Sequence, residues 1–243
     1  MGSADEPDLD PGRWDAAASS ARRRLVAATR AFADAAVDVD APDDVLDRIA
    51  GDLEHWAADL HPGPDRRARV DDLKMTAYDD GPAATGTTNH NPDCVVCGPG
   101  NPISLGMVVE RDGADVVARL TLGAARRGAP GRVHGGLLSL AMDDLMGHVL
   151  VVEGLPAYTV RLDTEFLAAG PIGEELVLRS GVTGREGRRL SLWATVHAGE
   201  VLVARADALF ITVERLVAAP SRAAGESPAP DQNSAASTSR PAT

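Results

Sequence analysis

Aromatic side chains make up only 3% of the 243 residues. That is too few for a platform on which successive bases of a single-stranded nucleic acid could stack. Lysine is nearly missing as well, since Lys74 stands alone and the other basic residues are arginine. With a formal net charge of -12, the chain lacks the positive field that a phosphate backbone requires, so neither DNA nor RNA is an expected partner. No uninterrupted apolar run approaches the roughly 18 residues that span a bilayer. Met1 to Asp10 is acidic, where a secretory leader would be basic and then apolar. The expectation is a cytoplasmic protein with no membrane partner. Cysteine occurs only as Cys94 and Cys97, which excludes a disulfide framework.

What is present is a 44% hydrophobic content, enough to fill a core, with Val, Leu, Ile and Ala supplying the packing. Trp14, Ala18, Ala21, Leu25, Ala28 and Phe32 recur at spacings of three and four, which predicts an amphipathic helix over 13–37. Val45, Ile49, Leu53, Trp56 and Leu60 continue as a second helix, capped by Asp43 or Asp44 and stopped at His61-Pro62-Gly63-Pro64. The two make a helical hairpin over 1–63. Its apolar face is too small to stand alone and should dock on the rest of the chain or on a partner subunit. Residues 64–93 read as a polar linker, and 217–243, rich in Ala, Pro and Ser, as a disordered tail.

Between linker and tail, over 94–216, the pattern becomes that of strands. Leu105 to Glu110 and Asp115 to Leu122 flank a turn at Arg111-Asp112-Gly113. A helix candidate at Gly135 to Val151 follows. Thr159 to Leu167, Glu175 to Thr183, Arg189 to Ala198 and Leu202 to Glu214 then read as four strands whose short links make them antiparallel neighbours. Two strands, one long helix and four strands make an α+β domain with a sheet wrapped over one buried helix.

The chemistry concentrates at Val133-His134-Gly135-Gly136 and the helix after it. Paired glycines leave the first-turn N–H groups unshielded by a Cβ, at the positive end of the helix dipole, which suits a developing oxyanion. Asp143 and Asp144 interrupt the apolar helix two turns on. Successive helix residues point about 100° apart, so one carboxylate at most enters any cleft beside the buried stripe. A buried carboxylate is costly unless it is paired or functional. The structural alternative is that either Asp bonds a neighbouring strand or faces solvent.

The run VHGG with Asp143 nine residues after His134 and Gly147 four further on resembles the hotdog-fold acyl-CoA thioesterases of the PaaI-like and mitochondrial thioesterase-like group. Two more stretches are similar to that family: Cys94-Val95-Val96-Cys97-Gly98-Pro99-Gly100-Asn101-Pro102-Ile103-Ser104-Leu105-Gly106 upstream, and Thr159 to Leu167 with Gly170-Pro171-Ile172-Gly173 downstream. The resemblance covers about residues 94–215. It implies a hotdog fold, a curved antiparallel sheet around one long helix, and hydrolysis of an acyl-CoA substrate without a resident cofactor. It also implies a homodimer or homotetramer in which Asp143 and Thr159 of one subunit face Gly135 of the other. Asp143 would act as general base on water or as nucleophile, Thr159 would hold the water or Asp143, Gly135 would donate its N–H to the thioester oxygen, and His134 would orient the carbonyl or the loop. A thioester is already activated, so no Ser-His-Asp triad is needed. The alternative on the same fold is a non-catalytic acyl-CoA binder. One departure keeps it open: relatives often carry Asn or Gln six or seven positions before the histidine, where this chain has Arg127 and Gly128.

Gly136 and two arginine groups, Arg127 and Arg132 by the glycine loop and Arg185, Arg188 and Arg189 on one hairpin, are candidates for binding substrate, because guanidinium groups hold phosphate oxygens bidentately. The plainer reading of any one of them is a solvated turn. Cys94 and Cys97, even with His90 as a third ligand, fall short of the usual four ligands of a structural zinc, so no metal is expected and the thiols read as packing and loop-closing groups. His148 reads as packing or surface.

Overall fold

The computed structural model describes residues 19–60 and 91–214. Trp14, Ala18, His90, most of the expected linker and the expected tail lie outside them. Helix α1 (Ser20–Asp38) begins at Ser19, whose hydroxyl accepts the Arg22 N–H at 3.2 Å. Helix α2 (Asp43–Asp59) begins after Pro42, so Asp43 and Asp44 occupy its acidic first turn rather than its cap. The helices follow one another as expected, but only α1 is docked. Its Val26 is fully buried, and the Asp34 carboxylate accepts the Ala125 N–H at 2.9 Å in the short 3-10 turn Ala124–Arg126. No residue of α2 is buried.

The domain beyond is a six-stranded antiparallel sheet around a long helix, α3 (Gly135–Glu153). Strands β1 (Val108–Asp112) and β2 (Asp115–Thr121) form a hairpin in which Asp112 pairs with Asp115 and Gly113 turns the chain with φ 66°. Strand β1 therefore starts three residues later than its hydrophobic run suggests, because Leu105 and Gly106 donate instead to the carbonyls of Val95 and Val96 in the cysteine loop. After α3 come β3 (Ala157–Phe166), β4 (Glu175–Glu186), β5 (Arg189–Ala198) and β6 (Val201–Thr212), in the sheet order β1-β2-β4-β5-β6-β3.

One expectation is corrected by this order. The link from β3 to β4 through Gly170-Pro171-Ile172-Gly173 is not a hairpin, although its length suggested one. Strand β4 crosses over to pair with β2, and β3 pairs with β6 at the sheet edge. The link is instead used by other partners: Val133 N–H bonds the Gly170 carbonyl at 2.9 Å, and Gly173 N–H bonds that of Leu122 at 2.9 Å. Link length alone cannot tell a hairpin from a short crossover, since both leave β3 in the same direction.

Alternation along the strands explains the curvature. Leu190, Leu192, Ala194 and Val196 of β5 point inward and are buried, while Arg189 and Ser191 point outward. The inward set closes on Met142, Leu145, Met146 and Val149 of α3. By length and apolar composition α3 could cross a membrane, but it is the core helix that the sheet wraps.

Candidate active site

His134 is the N-cap of α3, and its Nδ1 accepts the Gly136 N–H at 3.0 Å. A neutral ring that accepts at Nδ1 carries its proton on Nε2, which makes Nε2–H a donor at the helix N-terminus. Gly136 thus spends its N–H on the cap. At Gly135 an added Cβ would come within 3.2 Å of the Phe166 ring, so the end of β3 walls this glycine. Sequence reasoning had not singled out Phe166. The preceding loop folds back on itself: Arg127 pairs with Val133, Gly128 N–H bonds the Arg132 carbonyl at 2.9 Å, and His134 N–H bonds that of Arg126 at 3.1 Å. A side chain at Gly128 would overlap the His134 backbone, which gives the absence of Asn or Gln there a steric reason in this chain.

Two turns along α3, Asp143 meets Thr159, whose Oγ1 donates to Asp143 Oδ1 at 2.9 Å. A β-bulge between Thr159 and Arg161 makes this contact. Without it Thr159 would share the outward parity of Arg161 and Asp163; the extra residue turns it toward the helix. Burial raises the pKa of Asp143 above the ordinary carboxylate value, Asp144 adds to that, and the Thr159 hydrogen bond opposes it. A half-buried carboxylate with raised proton affinity and a hydroxyl at hydrogen-bond distance can hold and deprotonate a water.

Asp144 points elsewhere. Its Oδ1 accepts from Cys94 Sγ at 3.1 Å, and its Oδ2 lies 3.4 Å from Nε2 of His148, which is fully buried. Of the two readings of His148, packing is therefore the one observed, with a carboxylate as neighbour. The Cys97 hydrogen bond holds the Cys94 thiol below its ordinary value, and the same bond together with burial pushes Cys97 up.

The arginines fall into two groups at different places. Arg127 is bound to Asp38 of α1 at 2.6 Å, and Arg132 sits in the folded loop, its backbone bridged to Pro171. Arg185, Arg188 and Arg189 lie on the β4–β5 hairpin. Arg185 pairs with Leu190, Leu190 with Phe210 and Phe210 with Thr159, so this group shares its sheet end with Thr159, three strand spacings or about 14 Å away. Arg188 Nε donates to the Thr212 carbonyl at 3.0 Å. Arg185 and Arg189 also line an outer-face groove with Arg161 and Asp207. Within one chain Gly135 and Asp143 are eight residues apart on a helix, about 12 Å along its axis.

A thioesterase superfamily protein of known structure, RHA08564, superimposes with a TM-score of 0.66 over 79% of this chain and 96% of its own, at 24% identity. The chain has the hotdog fold. Smaller proteins overlap less well. A hypothetical thioesterase from Streptococcus pneumoniae, crystallised with coenzyme A, gives 0.41 at 22% identity over 44% of this chain and 88% of its own. The PaaI protein of the E. coli phenylacetic acid degradation operon gives 0.43 at 19% over 46% and 82%. No family model matches the chain, and no curated protein does.

Proposed function

We propose that the protein hydrolyses an acyl-CoA thioester to a carboxylic acid and coenzyme A, within the PaaI-like group of hotdog thioesterases. The observation that carries this is the 2.9 Å bond between Thr159 Oγ1 and the half-buried Asp143 carboxylate, beside a helix whose N-terminus is opened by glycines and capped by His134. Asp143 takes a proton from water as the water oxygen attacks the thioester carbon. The carbonyl oxygen gains charge at the Gly135 N–H and the His134 Nε2–H. The C–S bond breaks, and the departing thiolate of coenzyme A takes up a proton.

The 12 Å between Gly135 and Asp143 along one helix is too long for a single carbonyl to meet both, so the site is completed by a second copy. That supports at least a homodimer; a cytoplasmic location, and turnover without nucleic acid, membrane or cofactor, are proposed from the sequence alone. Residues 94–216 form the catalytic domain and 1–63 its N-terminal extension.

The second reading, an acyl-CoA binder without turnover, is favoured by one observation. Arg127, which stands where relatives carry an amide donor, is engaged by Asp38. A panel of acyl-CoA substrates assayed with a thiol reagent separates the two: release of free thiol supports hydrolysis, and saturable binding without release supports the binder. The hydroxyl gives a finer test. Thr159→Ala is expected to lower kcat by about tenfold or more, the worth of a hydrogen bond to a charged group, with KM nearly unchanged because the hydroxyl acts on Asp143 and water. Thr159→Ser should recover most of the rate. A rise in KM with kcat preserved would place Thr159 on the substrate instead.

A further inference from the structure

We infer that Cys94, Cys97 and Asp144 form a binding site for a thiophilic divalent cation of the zinc class, a site separate from the acyl-CoA chemistry. One ligand atom from each of the three lies within 4.8 Å of the others, and Cys94 Sγ is 3.1 Å from Asp144 Oδ1. Sulfur and oxygen atoms that share a zinc at about 2.3 and 2.0 Å are roughly 3.5–4 Å apart, so small side-chain adjustments suffice.

The cysteine loop is built to present its sulfurs. Val96 N–H donates to Cys94 Sγ at 3.3 Å, an interaction that favours the thiolate a metal needs. Gly98 N–H closes the turn on the Cys94 carbonyl at 3.0 Å. A side chain at Gly98 would overlap the Cys94 backbone and the Pro92 carbonyl, so the loop can close this tightly only with glycine there. The third ligand comes from fifty residues away, on α3. His148 lies one turn beyond it, fully buried, with Nε2 3.4 Å from the other Asp144 oxygen. A histidine and a carboxylate placed this way resemble the outer partners that orient metal ligands.

Two thiolates and a carboxylate select zinc over magnesium or calcium, which take oxygen donors. Binding converts two thiols to metal-bound thiolates with release of two protons, and water fills the fourth position of the tetrahedron. The ion would staple the loop before β1 to the helix that carries Asp143. Consecutive helix residues diverge by about 100°, which lets Asp143 face Thr159 while Asp144 faces the cysteines.

The test reads metal, not turnover, so its outcome is independent of the thioesterase reading. Tag-free full-length protein purified under reducing conditions is expected to carry about one zinc per chain by elemental analysis. After chelation, Co2+ should restore a tetrahedral visible spectrum with a sulfur-to-cobalt charge-transfer band. Cys94→Ser with Cys97→Ser should abolish both signals, Asp144→Asn should weaken Co2+ binding, and His148→Gln should weaken it by about tenfold or more. If the cysteine variants do not fold, the Co2+ titration of the wild type still decides. Wild-type protein that shows no thiolate–cobalt band overturns the proposal. So does stoichiometric zinc retained by a folded double-cysteine variant, or thiol counting that finds the pair joined as a disulfide in the purified protein.

Discussion

Asp143→Asn is expected to lower kcat on a responsive acyl-CoA by at least about a hundredfold, the low end of what a positioned general base contributes. The substitution isolates the proton-accepting role. Asparagine is nearly isosteric, and its amide oxygen can still accept the 2.9 Å bond that Thr159 Oγ1 donates, so the packing around Met142 and Leu145 should persist. What is lost is the negative charge and the base. Far-ultraviolet circular dichroism and a melting curve close to wild type would establish that the fold is intact. A rate within a few fold of wild type in that folded variant would remove Asp143 from the chemistry and leave the binding reading in its place.

Periodicity was a good guide to which segments form elements and a poor guide to how they join. The α3 boundaries and the strand order along the chain follow from apolar spacing, because a buried helix and half-buried strands impose periods that any core must satisfy. The pairing of β3 with β6 does not, since it depends on a crossover whose sequence looks like a turn. The same division holds at the site. His134, Gly135 and Asp143 are visible as a local pattern of cap, glycines and an acid on one helix. Thr159 is an ordinary strand residue until the bulge aims it. Phe166 over Gly135 and the Asp38–Arg127 pair are contacts between distant segments, with no local signature. The cysteine loop is the clearest such case. Two thiols three positions apart do not indicate a metal by themselves; Asp144 and His148 become their neighbours only when α3 packs against the loop.

Mixing two inactive variants is expected to restore activity if the site is shared between subunits. Asp143→Ala removes the base from every chain that carries it, and Gly135→Val puts a branched side chain against the Phe166 ring, where a Cβ alone would already stand at 3.2 Å. Each homodimer then has two defective sites. In a heterodimer one site receives both altered halves, and the other combines the Asp143–Thr159 pair of one chain with the Gly135 amide of its partner, both unaltered. Random reassortment makes half of the dimers mixed, with one good site in two, so activity should return to about a quarter of wild type per chain. Subunit exchange is confirmed separately with differently labelled chains. If the labels exchange and no activity appears, Gly135 and Asp143 must serve the same site from the same chain. That would require the substrate to reach along about 12 Å of α3, and a donor other than Gly135 would have to meet the carbonyl beside Asp143.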